Sequence, residues 1–323
     1  MKKVSQLSGL LWFAIILLMP VDVYAHIDAC KQLSLPSNLE KAPFRHKSSA
    51  WKSKTTAYHS AQDILITPGE DVVIEGKFSY GSISIDLEDE VIELWLDNCS
   101  GALVRIGEVI TDNDGRSKVI VKSTNFPETG IFQIYHRVMG DGTFTTSMLR
   151  ILPERTKLVV FDVDGTLTVG DSELWNNILD GSYVPMSRKG GPSLTQFWYY
   201  TGHEIVYLSG RHYLLTDRSR QWLEAAAYAE GTLVLAQSVG DIIPSKGGVG
   251  EYKRKYLQRL QASGFVIVAA YGNSTTDIYA YEESAIPKSA MFMLGENGGV
   301  RKTIALGDDF LAHLNDLFEQ SSD

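Results

Sequence analysis

The sequence predicts two domains of different class, an all-β sandwich followed by an α/β domain with a parallel sheet. The length of 323 residues is enough for two such domains, each with its own core. Residues 63–152 contain short β-type runs separated by turn residues, which is typical of an antiparallel, immunoglobulin-like sandwich. From residue 157 onwards, apolar strand patterns alternate with amphipathic helix patterns, which indicates a parallel α/β sheet.

The overall composition is that of a globular protein. Hydrophobic residues make up 44% of the chain and charged residues 21%, which excludes extended disorder and collagen-like repeats. Two cysteines are too few for a disulfide-dense scaffold or a cysteine-rich zinc module. The formal net charge of −9 argues against nucleic acid as a partner, because phosphate neutralisation needs clustered lysine and arginine.

Residues 1–25 match the three-part pattern of a secretory signal peptide. Lys2 and Lys3 precede an apolar run at residues 9–19, and the small-residue site ending at Ala25 follows. The alternative is a retained membrane anchor, which the pattern favours less because this run would span only about half of a hydrocarbon core. We therefore expect cleavage after Ala25 and an exported protein, either periplasmic or secreted.

The two cysteines, Cys30 and Cys99, both lie in the first half of the chain. An oxidising compartment would allow them to form a disulfide. Closing a loop of that length would stabilise the folded state by roughly 4 kcal/mol. Two unpaired thiols are the alternative, since sequence spacing does not distinguish the two states.

Residues 26–152 form the first predicted domain, an irregular arm followed by the sandwich. The arm, to about residue 60, lacks a hydrophobic period and contains two prolines. Residues 112–115 are interpreted as a hairpin turn rather than a calcium loop, because the downstream glutamate of an EF-hand is missing. The predicted strands cover residues 64–66, 71–80, 91–96, 103–110, 117–121, 130–139 and 143–152.

Residues 153–323 form the second predicted domain, which begins with a linker at residues 153–156. Its strands are expected at residues 157–161, 204–208, 232–236, 265–271 and 290–294. Its helices are expected at residues 193–201, 215–230, 251–263, 276–283 and 308–318. In open parallel sheets, ligands bind beyond the carboxyl ends of the strands. The candidate site residues are therefore sought there.

Two aspartates follow the first strand of the second domain. Side chains alternate along an extended chain, so Asp162 and Asp164 should point the same way, and Gly165 permits a sharp exit. Two carboxylates on one face repel each other unless a cation or a shared proton relieves them, and carboxylate oxygens suit Mg²⁺. The alternative is an acidic loop that caps a helix. The pattern favours a magnesium site.

The run Asp162-Val-Asp-Gly-Thr166 resembles motif I of the haloacid-dehalogenase (HAD) superfamily of phosphotransferases. The next strand ends in Ser209-Gly210-Arg211, which resembles motif II, whose hydroxyl binds the transferring phosphoryl group. The resemblance implies that these three residues and Thr166 bind phosphate. A serine after a strand is otherwise usually a helix cap.

Two further motifs follow in the superfamily's order. Lys253 suits the motif III lysine, although Lys246 and Lys255 are nearby alternatives. Residues 272–277 resemble motif IV, and the i, i+4 spacing puts Asn273 and Asp277 on one helical face, as joint metal ligation requires. The superfamily often has aspartate where this chain has Asn273.

Together the motifs resemble the LNS2 module, shared by lipins, which are phosphatidate phosphatases, and by membrane-associated phosphatidylinositol transfer proteins of the retinal-degeneration-B type. The resemblance covers about residues 156–318, and the preceding sandwich resembles the segment before LNS2 in the transfer proteins. In those proteins the module is thought to bind phosphatidate with a degraded catalytic motif. This chain keeps Asp162, Asp164 and Thr166.

The resemblance implies a Mg²⁺-dependent phosphomonoester phosphatase, a hydrolase similar to phosphatidate phosphatases. Asp162 would attack phosphorus to form an aspartyl-phosphate, and Asp164 would protonate the leaving alkoxide. Asp162, Asp164, Asn273 and Asp277 would hold Mg²⁺. The alternative is a non-catalytic LNS2 module that binds phosphatidate or another phospholipid.

The expected substrate is a phospholipid, with phosphatidate the leading candidate, or a small phosphomonoester. Motifs I and II are only about 45 residues apart, which leaves little room for a large cap over the site. An open site could meet a headgroup at a membrane surface through peripheral contact. An acidic chain needs a local basic patch for this, and Arg188, Lys189 and Arg211 are the candidates.

Overall fold

The computed structural model describes residues 33–81, 84–98, 100–170, 183–237 and 241–322. The predicted signal peptide with its cleavage site at Ala25, and the predicted pairing of Cys30 with Cys99, lie outside these residues. In the described part of the chain, no helix is both long enough and apolar enough to cross a bilayer.

The first domain is a β-sandwich, as predicted. Its strands are β1 (Ser60–Ala61), β2 (Ile64–Ile66), β3 (Val72–Lys77), β4 (Ser79–Tyr80), β5 (Ile85–Asp86), β6 (Val91–Asp97), β7 (Leu103–Ile110), β8 (Arg116–Val121), β9 (Gly130–Val138) and β10 (Phe144–Ile151). Two sheets face each other. One has the order β1-β3-β8, and the other has the order β2-β10-β9-β6-β7. The β4–β5 pair forms a separate hairpin. Neighbouring strands are antiparallel except β2 and β10, which run parallel. Aliphatic and aromatic side chains from these strands form one buried cluster.

The arm before the sandwich contains one short helix that the sequence analysis did not predict, α1 (Lys47–Lys52). The backbone amides of Arg45 and His46 donate to the carboxylate of Glu90, at 2.9 and 3.0 Å. Glu90 immediately precedes β6, so the arm is tied to the sandwich through main-chain groups. Hydrogen bonds of this kind cannot be predicted from the hydrophobic pattern of a sequence.

The second domain is a six-stranded sheet in which every pairing is parallel. Its strands are β11 (Lys157–Phe161), β12 (Glu204–His212), β13 (Thr232–Ala236), β14 (Val266–Gly272), β15 (Met291–Leu294) and β16 (Ile304–Gly307). The order is β13-β12-β11-β14-β15-β16, so the carboxyl ends of β12, β11 and β14 meet where the strand order reverses. β16 has no strand pattern in the sequence and was not predicted, because most of its residues are exposed and it lacks a buried apolar run.

Helices cover both faces of this sheet: α2 (Gly191–Tyr200), α3 (Thr216–Ala225), α4 (Glu251–Ala262), α5 (Thr275–Glu283) and α6 (Leu311–Ser322). Side chains of α4 and α5 belong to one buried cluster, and those of α2, α3 and α6 belong to another. The predicted helix over residues 215–230 ends early because Ala227 has a φ of 59°. The next residue, Tyr228, turns inward and donates to the carbonyl of Leu167 at 2.9 Å.

The two domains meet along the outer edge of β13. Gln62 pairs with the backbone of Leu235 as a neighbouring strand would, since its amide donates to the carbonyl at 2.6 Å and its oxygen accepts from the N–H at 3.3 Å. Asp63 accepts from the backbone amide of Leu233 at 2.9 Å and from the guanidinium of Arg220 at 2.9 Å. Side chains from the sandwich therefore close the sheet edge that the strand order leaves open.

Candidate functional site

The candidate site begins directly after β11, near the centre of the parallel sheet. The amide of Asp162 donates to the carbonyl of Tyr271 on β14 at 3.0 Å, which fixes the start of the motif I turn. The chain then turns at Gly165, whose φ of 73° lies in the region that favours glycine. The two acidic side chains have different neighbours: Asp162 contacts residues near β14, and Asp164 contacts the end of β12.

Lys253 lies between two buried carboxylates. Its Nζ is 2.5 Å from Asp162 Oδ1 and 2.6 Å from Asp277 Oδ1. Burial alone would lower the pKa of Lys253, but the two carboxylates outweigh burial and raise its pKa above the ordinary value. Burial raises the pKa of Asp162 to about 7, and the Lys253 ammonium opposes this rise. The lysine therefore stays charged, while the proton affinity of Asp162 is high for a carboxylate.

The two alternative motif III lysines lie on the surface. Lys246 is exposed in a helical turn and lies over the ring of Tyr279 at 5.6 Å. Lys255 is exposed and lies 3.8 Å from Glu251 on its own helix. The structure thus brings Lys253 to Asp162 and leaves Lys246 and Lys255 at the surface.

Asp164 is clamped by Arg211. The Nε of Arg211 lies 2.9 Å from Asp164 Oδ2, and its Nη2 lies 2.8 Å from Oδ1, which is the two-point geometry of a strong arginine–carboxylate pair. Arg211 is buried, and its Nη1 donates to Ser219 Oγ at 2.9 Å. Ser209 Oγ also donates to Asp164 Oδ2, at 3.3 Å. We call this arrangement the Asp164 clamp; it fixes the carboxylate against the end of β12.

Gly210, between the two motif II side chains, lies against the loop after β13. A Cβ at this position would come within 2.9 Å of Val249 Cγ2. Val249, in the loop after β13, therefore packs directly against motif II, which accounts for a glycine at position 210.

Asn273 brings together the oxygens that could hold a metal ion. One atom of its amide lies 3.0 Å from Thr166 Oγ1, 3.0 Å from the carbonyl of Asp164 and 3.3 Å from Asp162 Oδ2. If this atom is the nitrogen, it donates to those oxygens. If it is the oxygen, it accepts from the hydroxyl of Thr166 and lies beside the oxygens of Asp164 and Asp162, and such oxygen donors suit Mg²⁺. The residues present therefore fit the predicted metal.

Asp277 supports the site through two sets of contacts. Its Oδ1 accepts from Lys253, and its Oδ2 accepts from the amides of Asn273 and Ser274, at 3.2 and 3.0 Å. The second set belongs to a capping box that begins α5. Among the described residues, no group of three or more His, Cys, Asp and Glu side chains is arranged to hold a metal ion. Direct metal ligation by Asp277 stays a prediction.

Arg188 braces the motif I turn. Its guanidinium donates to the carbonyls of Thr166, Gly165 and Asp308, at 2.9, 2.5 and 2.6 Å. Arg188 is thus held by main-chain carbonyls, whereas Lys189 is exposed, and the basic patch that both were expected to form stays a prediction. Sequence reasoning missed this brace, and also Ser219 behind Arg211, because partners of this kind are set by the fold and have no local signature.

Comparison with known proteins places both domains. Residues 159–295 match the family described as "PITM 1-3, LNS2 domain", and residues 57–151 match "PITM 1-3, beta-sandwich domain". Membrane-associated phosphatidylinositol transfer protein 3 of Mus musculus is 27% identical over 86% of this chain and 28% of its own length. Protein retinal degeneration B of Drosophila melanogaster is 26% identical over 84% of this chain and 21% of its own length. The chain thus spans less than a third of these relatives.

The predicted localisation is wrong. We expected an exported protein, periplasmic or secreted, from the pattern of residues 1–25. The relatives are named membrane-associated phosphatidylinositol transfer proteins, a name that does not fit a periplasmic or secreted protein. A charged start followed by an apolar run is a short-range pattern that does not by itself determine where a protein is delivered.

The two family matches agree with the architecture and with the motif order at the strand ends. They cover the sandwich and the parallel sheet as consecutive segments of one chain. Residues 159–295 are therefore an LNS2 domain, a HAD-like module, and residues 57–151 are the β-sandwich domain of the same PITM 1-3 family.

Proposed function

We propose that this LNS2 domain binds the phosphate monoester of an anionic phospholipid, with phosphatidate the leading candidate, and does not hydrolyse it. The observation that carries the proposal is the Asp164 clamp. The residue that would have to protonate a leaving alkoxide is held by two hydrogen bonds from Arg211. The names of the relatives, which refer to phosphatidylinositol transfer, also support lipid binding over hydrolysis.

Two groups that suit a phosphate lie next to the two motif I aspartates, Lys253 beside Asp162 and Ser209 beside Asp164. Lys253 supplies a buried cation, and Ser209 supplies a hydroxyl at the end of β12. Both can donate to phosphoryl oxygens in a site with little water. Because Ser209 now donates to Asp164, a bound phosphate would compete with that carboxylate for the hydroxyl.

The charges of the site call for a divalent cation. When Asp162 is ionised, three carboxylates, those of Asp162, Asp164 and Asp277, face only two cationic side chains, Lys253 and Arg211. A phosphate dianion would be repelled by this net negative charge. Mg²⁺ held by the oxygens around Asn273 would reverse the balance, which is the chemistry it would supply here.

Hydrolysis is the second candidate, because Asp162, Asp164 and Thr166 are all in place at the site. An Asp162 oxygen would bond to phosphorus as the bond to the alkoxide breaks, and Asp164 would give that alkoxide its proton. Water would then cleave the aspartyl-phosphate. These reaction steps require the carboxyl group of Asp164 to separate from Arg211.

Binding and turnover can be measured on the same sample of full-length chain. Phosphatidylcholine vesicles with and without phosphatidate are sedimented with the protein in Mg²⁺ or in EDTA, and released inorganic phosphate is assayed. We expect phosphatidate-dependent binding that falls about tenfold or more in EDTA, without phosphate release. Asp162→Asn should lose the Mg²⁺-dependent part. Sustained phosphate release would favour hydrolysis, and binding that ignores phosphatidate would contradict both candidates.

Arg211→Gln is expected to convert the binding domain into a slow phosphatase by releasing Asp164. A positioned general acid accelerates a reaction by about 100-fold or more. We expect Arg211→Gln to recover part of this effect, so the rate of phosphate release should rise by up to about 100-fold. The assay is phosphate release from phosphatidate in detergent micelles with Mg²⁺. The control is Arg211→Gln combined with Asp164→Asn, which should remove the gain. If Arg211→Gln releases no more phosphate than the double variant, the clamp is not what prevents turnover.

A further inference from the structure

Exposed aliphatic side chains lie on the loops beside the candidate site. Val184 is 70% exposed and Ile243 is 52% exposed, values far above those of core residues. Three more aliphatic side chains in the same loops are over a third exposed, Val169, Met186 and Leu214. We call these five residues the rim.

The fold brings the rim residues together at one edge of the sheet. Val169 follows motif I closely, and its amide donates to the carbonyl of Met186 at 3.0 Å. Leu214 lies three residues after Arg211, and Ile243 lies in the loop that packs over motif II. These loops follow β11, β12 and β13, which are neighbours in the sheet, so their carboxyl-end loops lie side by side.

A rim of this kind suits an amphiphile rather than a soluble phosphate ester. A sugar phosphate or a nucleotide would present hydroxyls and polar edges to the aliphatic side chains, which offer such groups no hydrogen bonds. A phospholipid in a bilayer presents its phosphate together with acyl chains, and aliphatic side chains gain by leaving water for the acyl boundary. Exposed Lys189 and Lys246 lie in the same loops and would attract an anionic bilayer, but Asp241 in these loops opposes them. Apolar contact should therefore contribute more to membrane binding than charge does.

An exposed aromatic surface of this domain lies away from the site. Tyr200 and Phe318 line a groove between α2 and α6. Tyr200 ends α2, immediately before the chain enters β12, so it lies at the opposite edge of the sheet from the Asp164 clamp. A bilayer that covered this groove could not also present a headgroup to Lys253.

We propose that the rim is the surface through which this domain docks on a bilayer, with Val184 and Ile243 inserted beside the headgroup that the site binds. The inference rests on the proposed function and adds to it the face that meets the membrane. The lipid then reaches Ser209 and Lys253 without leaving the bilayer surface.

The experiment separates rim contact from phosphate binding. The rim variant is Val184→Asp with Ile243→Asp, and the matched control is Val266→Asp with Ile120→Asp, which changes the same residue types at positions 44% and 60% exposed and distant from the site. Sedimentation with vesicles of phosphatidylcholine and phosphatidate in Mg²⁺ measures docking. Calorimetric titration with glycerol 3-phosphate in Mg²⁺ measures the site alone.

The rim variant should lose vesicle binding by about tenfold or more while its affinity for glycerol 3-phosphate stays unchanged, and the control should match wild type in both. Vesicle binding equal to wild type in the rim variant, or equal losses in rim and control variants, would overturn the rim. Wild type that docks through the rim but binds no glycerol 3-phosphate would retain the rim and refute the proposed phosphate site.

Discussion

Lys253→Met should lower the free energy of unfolding by about 3–5 kcal/mol, the usual cost of removing one partner from a buried ionic group. Asp162 and Asp277 would then face each other in the interior without the ammonium that lies 2.5 and 2.6 Å from them. The measurement is urea denaturation in EDTA. Phosphatidate-dependent vesicle binding should also be lost, since the buried cation would be gone.

Asp162→Asn is the matched control, because it removes a charge from the same contact and should leave the protein at least as stable. Burial raises the pKa of Asp162 from 3.8 to about 7, so ionising this carboxyl in the folded state is unfavourable. Its contribution to stability is present below the unfolded pKa and is lost as the pH rises from about 4 to 7. The Asp162→Asn variant has no carboxyl group to ionise, so it should not lose this stability as the pH rises. A large destabilisation by Asp162→Asn, or none by Lys253→Met, would contradict the account of the buried charges.

Asp63→Ala is the second large effect, with an expected loss of about 3 kcal/mol. The carboxylate of Asp63 is completely buried and accepts from the amides of Leu233 and Met148, at 2.9 and 2.8 Å, as well as from Arg220. The substitution leaves all three donors without this acceptor. Urea denaturation followed separately in each domain should show that the sandwich and the parallel sheet no longer unfold together.

The control for this prediction is Asp71→Ala, which removes a carboxylate from an exposed ion pair with Lys122 on the sandwich. Solvent screens such pairs, so unfolding of Asp71→Ala should follow that of wild type. If Asp63→Ala behaves like Asp71→Ala, the contacts along β13 do not hold the two domains together.

The parts of the fold that the sequence predicted are those with a strong local pattern. The strands β11 to β15 are short, apolar and bounded by polar residues, and the observed limits of β11 and β13 equal the predicted ones. The missed elements are short: α1, β1, β5 and β16. Their conformations depend on contacts with distant residues.

The candidate site divides in the same way. The resemblance to the HAD motifs was enough to predict that Asp162 and Asp277 would meet a motif III lysine, although Lys246 and Lys255 were alternatives to Lys253. It could not predict that Arg211 would hold Asp164, since the choice between phosphate and carboxylate as the partner of an arginine depends on side-chain positions a few ångströms apart. In the function proposed here, the partner of Arg211 decides between phosphate binding and hydrolysis.

The contacts between the two domains along β13 determine which fragments of this protein can be used on their own. A fragment that starts after residue 153 would carry β13 as a bare edge, with the N–H groups of Leu233 and Leu235 and the carbonyl of Leu235 no longer paired with Gln62 and Asp63. Bare edges of apolar strands recruit other chains, and all five residues of β13 are apolar or threonine. Truncated LNS2 fragments should therefore self-associate in concentrated solution, and a graft or biosensor built from this domain should carry the sandwich with it.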